Sequence, residues 1–226
     1  IKERHPSIHA EFPSASFHTA IIQLQRRYEN PQREFETSMK TILFLKSNFD
    51  LSCLLFSSPW TAHANMQYFS RFPNDTIFGA RYNAFTHKWN GVCWAEPPFT
   101  RRHINRTLAF AIKAASKNLS PTCIFALIPK WFRTTHLAGA LNNPCAHVLA
   151  EVKNYEFFSG KKHRTSQTPM LLIAFCNTRF HHAYACLMEP LFFATHLRTI
   201  HKDVNPFPHI PALTPWHPRP YRYCDT

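Results

Sequence analysis

The 226-residue chain is long enough for one α/β domain with a sizeable core, and 26 Lys and Arg against 13 Asp and Glu give it a formal charge of +13. This excess favours a polyanionic partner, most simply nucleic acid; the alternative is a basic protein without a dedicated partner. Only four glycines occur, far apart, which excludes the glycine-rich phosphate loops of dinucleotide- and triphosphate-binding proteins.

The cysteines and apolar runs bear on compartment and metal binding. Seven cysteines are scattered singly, which indicates a reducing compartment rather than a disulfide scaffold. No apolar run reaches membrane-spanning length, so no membrane partner is predicted. Because the sequence starts at Ile1, a removed transit peptide is one expectation, and mitochondrial and nuclear locations both stay open. No metal site is predicted, because the nearest candidates match no standard zinc spacing: Cys176, His181, His182 and Cys186.

Residues 1–50 are predicted to form an N-terminal arm and a helical annex. Residues 1–13 have no periodicity and are expected to be extended. Apolar residues at helical spacing predict a first helix from Ser14 or Ser16 to about Tyr28. Asn30-Pro31 is typical of a helix start and predicts a second helix that ends near Asn48.

Residues 51–180 are predicted to form an α/β domain. Short apolar runs predict strands over 51–56, 92–95, 122–128, 147–152 and 169–176. Helices are predicted between them over 62–72 and 100–118. This alternation predicts a mostly parallel sheet.

The most informative stretch is Gly91–Phe99. Pro97 and Pro98 must end the strand before them, because proline has no N–H for a sheet ladder. Loops that follow the carboxyl ends of strands line the ligand crevice of an open α/β sheet. An acceptor (Glu96), two prolines and an aromatic ring at that place suit a flat, amine-bearing ring. The alternative is that Glu96 only stabilises the amino terminus of the following helix.

This stretch resembles the Asn/Asp-Pro-Pro-aromatic loop of methyltransferases that modify adenine. With its flanks, the chain resembles the catalytic domain of the cap-specific adenosine N6-methyltransferase family, also called phosphorylated-CTD-interacting factors, from about Leu51 to about Asn177. The flanking motifs are Phe56-Ser57-Ser58-Pro59, Tyr68–Pro73, Phe78–Arg81, Ile128–Trp131 and Tyr155–Gly160. The resemblance implies a Rossmann-like class I methyltransferase sheet, preceded by the helical annex and followed by an extended proline-rich tail.

The resemblance also implies site residues. The catalytic loop would be Glu96, Pro97, Pro98 and Phe99, and S-adenosylmethionine would contact Ser57, Ser58, Pro59, Phe78, Gly79 and Arg81. The chain departs from the family at Glu96, where the family has Asn, and at Tyr82, where it has Gly. Glu is longer than Asp and charged unlike Asn, which favours loss of catalysis. Tyr82 would obstruct close approach of a ligand to the backbone, unless the loop has moved.

Basic and aromatic residues near this site are candidates for RNA contact. They are Arg101, Arg102, Trp131, Lys161, Lys162 and Arg164. Residues 181–226 form an aromatic extension that becomes proline-dense after Val204, which predicts an extended path over this domain or a partner protein.

Three functions follow from these patterns. The main hypothesis is a methyltransferase-fold RNA-binding protein without catalysis and without a cofactor, which acts as a structural or docking subunit of an RNA–protein assembly such as an organellar ribosome. The alternative is an active RNA adenosine N6-methyltransferase that uses S-adenosylmethionine. The third is a protein-interaction module that works through the proline-rich tail.

Overall fold

The computed structural model describes Thr19 and residues 21–24, 37–63, 65–130, 135–159, 162–166, 168–200 and 203–206. Residues 21–24 are helical and lie within the first predicted helix. The predicted extended arm over residues 1–13 and the proline-dense tail from residue 207 onwards lie outside the described residues.

The described strands form one large sheet and one hairpin. The strands are β1 (Cys53–Leu54), β2 (Gln67–Ser70), β3 (Arg81–Tyr82), β4 (Val92–Ala95), β5 (Cys123–Pro129), β6 (Ala146–Lys153), β7 (Glu156–Ser159), β8 (Lys162–Thr165), β9 (Met170–Cys176) and β10 (Asp203–Pro206). The large sheet has eight of these strands in the order β3-β2-β1-β4-β5-β9-β6-β10, and β7 pairs with β8 as an antiparallel hairpin.

The direction of the strands divides the sheet into two parts. Strands β3, β2, β1, β4 and β5 are parallel neighbours. Strand β9 is antiparallel to both β5 and β6, and β10 is antiparallel to β6. Four of the seven pairings within the large sheet are therefore parallel. The strand order reverses between β1 and β4, which is compatible with a Rossmann-like α/β fold.

Five helices of the described residues pack around the sheet. They are α1 (Met39–Phe49), α2 (Arg101–Lys117), α3 (Thr135–Leu141), α4 (Thr178–Tyr184) and α5 (Pro190–Arg198). Local side chains set three of their starts: Ser38, Thr100 and Asn177 each accept a hydrogen bond from a backbone N–H in the first turn of α1, α2 and α4. The predicted start of α2 after Thr100 is confirmed.

Each face of the sheet is covered by its own apolar cluster. On one face, Phe49 of α1, Phe180 of α4 and Phe193 of α5 pack against Phe125 of β5. On the other face, the Ile104, Leu108 and Ala111 side of α2 packs with α3 against β4, β5 and β9. The fold is therefore a three-layer arrangement, with the sheet buried on both sides.

The predicted helix over residues 62–72 is wrong. Residues 67–70 form strand β2, parallel to β1, and a 3₁₀ turn follows over Pro73–Phe78. The apolar pattern of this segment also predicts that Met66 and Phe69 face inward, and both are buried. A short apolar segment covered on both faces has the same composition as a buried helical turn, and periodicity does not separate the two.

The second predicted helix begins later than expected. Ser38 has non-helical backbone angles and caps α1, and neither Thr37 nor Ser38 is helical. The apolar spacing of this helix predicts that Ile42 and Leu43 lie on its buried face, but Leu43 is 51% exposed while Phe44 and Leu45 are buried. The non-helical Thr37 has a direct consequence for the loop after β4.

The segment after residue 180 is partly built into the same core. Phe193 and Leu197 of α5 and Val204 of β10 are buried in the cluster that contains α1. Strand β10 extends the sheet by pairing with β6. The described part of the predicted C-terminal extension therefore packs on the sheet.

Candidate functional site

An open cavity of about 640 Å³ lies at the carboxyl ends of β1, β2, β3 and β4. Because these strands are parallel, the loops that follow them lie side by side at the carboxyl end of the sheet. The loops after β1 and β4 form opposite sides of the point where the strand order reverses. The cavity has the size and position that are typical of small-ligand sites in α/β proteins.

Glu96 in the cavity wall is held by hydrogen bonds to one of its two carboxylate oxygens. The Thr37 hydroxyl donates to Oε2 at 2.7 Å, and the Thr37 backbone N–H donates to the same oxygen at 3.2 Å. The Trp94 Nε1–H donates to Oε2 at 3.4 Å. Behind them, the Tyr155 hydroxyl donates to Thr37 Oγ1 at 3.0 Å. Segments that are distant in sequence thus fix the orientation of the Glu96 side chain.

The other oxygen of Glu96 remains available. Oε1 is shielded from solvent, and no described residue exchanges a hydrogen bond with it. Burial raises the pKa of Glu96 from 4.5 to about 7, against the opposing effect of the hydrogen bonds from Thr37 and Trp94. A buried acceptor without a donor is costly, so this oxygen is matched to a ligand that supplies an N–H or O–H.

The two prolines and the aromatic residue of the loop complete this wall. Pro97, Pro98 and Phe99 all line the cavity with Glu96. The Phe99 ring contacts Phe157 of the β7 hairpin edge-on, with 5.8 Å between the ring centroids. The hairpin therefore supports the aromatic part of the loop.

Three arginines and a histidine line another part of the cavity. Arg102, His103 and Arg106 project from the first turns of α2, and Arg71 follows β2. The pKa of His103 is lowered by burial and then by the charges of Arg102, Arg106 and Arg71, so all these groups lie close together. This concentration of positive charge suits an anionic ligand group such as a phosphate.

Hydrogen bonds among its own polar groups hold the loop after β1 in shape. Thr61 Oγ1 lies 2.9 Å from Ser57 Oγ and accepts a hydrogen bond from the Ser58 backbone N–H at 2.9 Å. Ser57 and Ser58 line the cavity, whereas Pro59 is buried and does not. The loop thus turns without a glycine.

The other predicted donor-binding residues lie away from the cavity. Phe78 is fully buried, and its carbonyl accepts a hydrogen bond from Tyr68. Gly79 ends the 3₁₀ turn at a positive φ of 82°, which favours glycine. Neither these two residues nor Arg81 line the cavity, but Tyr82 does, at 45% exposure.

The predicted RNA-contact residues are spread over several places. Arg102 lines the cavity, while Arg101 is exposed on α2 and does not. Lys162 and Arg164 belong to strand β8. Trp131 and Lys161 lie outside the described residues.

Several site residues were not found from the sequence. Trp94 and Tyr155 lie inside the motifs that carry the family resemblance. The sequence therefore placed both residues near the site, but it did not predict their hydrogen bonds. Arg71, His103 and Arg106 are ordinary basic residues whose convergence depends on the fold. No sequence pattern indicated Thr37, which was placed inside a predicted helix.

The described part of the chain carries neither a metal cluster nor a membrane-spanning helix. No group of three or more His, Cys, Asp or Glu in that part of the chain is arranged to hold a metal ion. None of its helices combines the length and apolarity that crossing a membrane requires.

Comparison with known protein families identifies the family of this chain. No curated protein matches the chain. A family model described as the phosphorylated CTD interacting factor 1 WW domain matches residues 7–160, which is about two thirds of the chain and includes β1–β5 and the Glu96 loop. The chain therefore belongs to the phosphorylated CTD interacting factor 1 family.

Proposed function

We propose that this chain is an RNA adenosine N6-methyltransferase that uses S-adenosylmethionine, with the target base in the cavity next to Glu96. The observation that carries this proposal is the buried Oε1 of Glu96, a residue of the cavity lining, which receives no hydrogen bond from the described part of the chain. Family membership and the strand order support it, because β3-β2-β1-β4-β5 followed by a reversed strand before β6 is the order expected of a class I methyltransferase sheet.

Glu96 is suited to hold the amine of adenine. With Oε2 occupied by Thr37 and Trp94, only Oε1 can accept an N–H from the base amine. By the family resemblance, the Pro97 carbonyl would accept the second N–H and Phe99 would stack on the ring. These bonds would draw the nitrogen lone pair out of conjugation with the ring. A carboxylate whose pKa is about 7 is also matched to accept the proton that the amine loses at neutral pH.

The residues on the β1–β3 side of the cavity are the candidates to hold S-adenosylmethionine. The polar side chains there include Ser57, Ser58, Tyr82 and Asn83. The bound donor would supply an electrophilic methyl group. The nearby arginines would hold the phosphates of the RNA, and the chain's excess positive charge would strengthen RNA binding generally.

The test is methyl transfer from labelled S-adenosylmethionine to a short RNA that contains adenosine. Glu96→Ala should abolish transfer, because the amine acceptor is lost, whereas Glu96→Asn should retain it, because Asn is the family residue. Ser116→Ala on the exposed face of α2 is the matched control and should behave like wild type. Unchanged transfer by Glu96→Ala would refute the assigned mechanism.

A second candidate is an RNA-binding subunit without transfer activity, which docks in a larger assembly such as an organellar ribosome in mitochondria. The self-closed loop after β1 and the absence of Phe78, Gly79 and Arg81 from the cavity lining favour it. Calorimetric titration distinguishes the two: RNA binding without any heat from S-adenosylmethionine favours the docking subunit.

Partner proteins of such an assembly would contact the tail. Because Val204 is buried and β10 pairs with β6, a deletion that tests the tail must begin after Pro206. A deletion from Val204 would remove part of the core as well.

A further inference from the structure

A cluster of cysteine and histidine residues lies at the end of the sheet opposite the cavity. Cys123 is the first residue of β5 and Cys176 is the last residue of β9, and the two are directly paired. His147 of β6 and His181 of α4 stack with 5.0 Å between their ring centroids. The proposed function uses none of these residues.

We infer that Cys176 is a nucleophilic thiol which peroxides oxidise to a disulfide with Cys123, so that this end of the sheet is a site of reversible oxidation. This inference is independent of the proposed methyltransferase activity, because the cavity lies at the opposite, carboxyl ends of the parallel strands.

Backbone pairing brings the two sulfurs together. Asn177 N–H donates to the Thr122 carbonyl, so the neighbouring pair Cys123 and Cys176 is a non-hydrogen-bonded pair of the antiparallel ladder. In agreement, the Cys123 N–H donates to Gly91 and the Cys176 N–H donates to Cys145. Such pairs have Cα atoms about 4.5 Å apart, within the range of disulfides. Both side chains belong to the same apolar cluster and therefore point to the same face.

The surroundings of Cys176 favour the thiolate. A hydrogen bond from Cys123 lowers the pKa of Cys176 to about 5, helped by His147 and by the charge of His181 and opposed by burial. Burial raises the pKa of Cys123, so Cys123 stays a thiol. Cys145 is the further titratable neighbour, and its pKa is raised to about 11 by burial. The cluster thus combines one thiolate with one adjacent thiol, which is the pair that oxidation to a disulfide needs.

The chemistry requires a two-electron oxidant, here hydrogen peroxide. The Cys176 thiolate attacks one peroxide oxygen, which breaks the O–O bond and gives a sulfenic acid and hydroxide. The Cys123 thiol then attacks the sulfenic sulfur, forms the S–S bond and releases water. Two thiols and one peroxide give one disulfide and two waters, and a thiol reductant reverses the change.

The chain contains its own control in a second cross-strand pair. Cys53 of β1 and Cys93 of β4 are also in register and comparably buried. Their strands are parallel, and the Cys93 thiol donates to the Asn90 carbonyl. The pKa of Cys93 is raised by its contact with Cys53 and by burial. Cys93 is therefore held as a thiol, in contrast to Cys176.

The experiment treats the folded full-length protein with hydrogen peroxide, alkylates the remaining thiols after denaturation, and maps the peptides by mass spectrometry. We expect a Cys123–Cys176 disulfide to form at least about tenfold faster than any Cys53–Cys93 disulfide, because the thiolate is the reacting form. Circular dichroism before and after treatment verifies that the protein stays folded.

Three variants sharpen the test. Cys123→Ser should leave a sulfenic acid on Cys176 that a dimedone probe traps. His147→Asn should slow oxidation by about tenfold. It should also raise the midpoint pH of the rate profile above about 5, because His147 helps to lower the pKa of Cys176. A purely structural role of His147 would not shift this midpoint. Equal rates for the two cysteine pairs, a disulfide between Cys145 and Cys176, or reaction only after unfolding would each overturn the inference.

Discussion

Replacing Glu96 by Gln should remove a pH dependence from the stability of this protein. Burial raises the pKa of Glu96 from 4.5 to about 7, so over this interval the folded state holds a proton that the unfolded chain has lost. The contribution of this group is therefore fully present below the unfolded pKa and is lost as pH rises through about 7. Wild type should become less stable across this range, relative to a variant with no charge at this position.

The interval between 4.5 and about 7 corresponds to about 3 kcal/mol of unfolding free energy, since each pH unit contributes about 1.4 kcal/mol. Gln is close in shape to Glu, and its amide oxygen can accept the hydrogen bonds that Thr37 and Trp94 donate to Oε2. The packing should therefore survive the change, and the charge is the main difference between the two proteins.

The assay is urea unfolding of wild type and Glu96→Gln between about pH 5 and about pH 8. We expect the difference in unfolding free energy to shift by about 2–3 kcal/mol in favour of the variant as pH rises. Ser116→Ala, an uncharged change on the exposed face of α2, is the control and should keep a constant difference from wild type. Parallel curves for wild type and Glu96→Gln would refute the raised pKa of Glu96.

Two further predictions concern the supports of the site. Thr37→Val should lower the unfolding free energy by about 1–3 kcal/mol and raise the pKa of Glu96 further, because it removes one donor to Oε2 and the acceptor of the Tyr155 hydroxyl. Thr37→Ser should be close to wild type in the same urea assay. Equal stability of the two variants would contradict this prediction. Replacing Arg102 and Arg106 together by Ala should weaken RNA binding, and the slope of log K against log salt should fall by the equivalent of about two phosphate contacts. Lys117→Ala on the last turn of α2 is the control. An unchanged salt slope in the double variant would argue against phosphate contact in the cavity.

The loop after β4 was the most predictable part of the molecule. Its strand, its two prolines and the Thr100 cap are local features, and each has a backbone consequence that does not depend on the rest of the fold. Strands β5, β6 and β9 were also placed closely, because each is a single apolar run. The family resemblance, confirmed over residues 7–160, rests on the same motifs.

Features that depend on pairing between distant segments were not predictable. The apolar run of β9 carries no information on its direction, and its antiparallel insertion between β5 and β6 follows from the hairpin that precedes it. Thr37 reaches Glu96 because α1 begins only at Met39, so Thr37 and Ser38 stay outside the helix. The sequence identified Glu96 as a site residue. It could not predict that Thr37 and Trp94 bind Oε2 and leave Oε1 without a donor from the described residues.

The hydrogen bonds around Glu96 also constrain the order of folding. Thr37 and Glu96 are 59 residues apart, and Thr37 and Tyr155 are 118 residues apart. No local segment can assemble this group, and the entropy of closing such loops has to be overcome by contacts made elsewhere first. The β4–β5 core can pair while Glu96 is still hydrated, and the carboxylate loses its water only when the segment before α1 and the segment before β7 have both docked. The protonation of this one side chain therefore reports whether the chain has completed its tertiary structure.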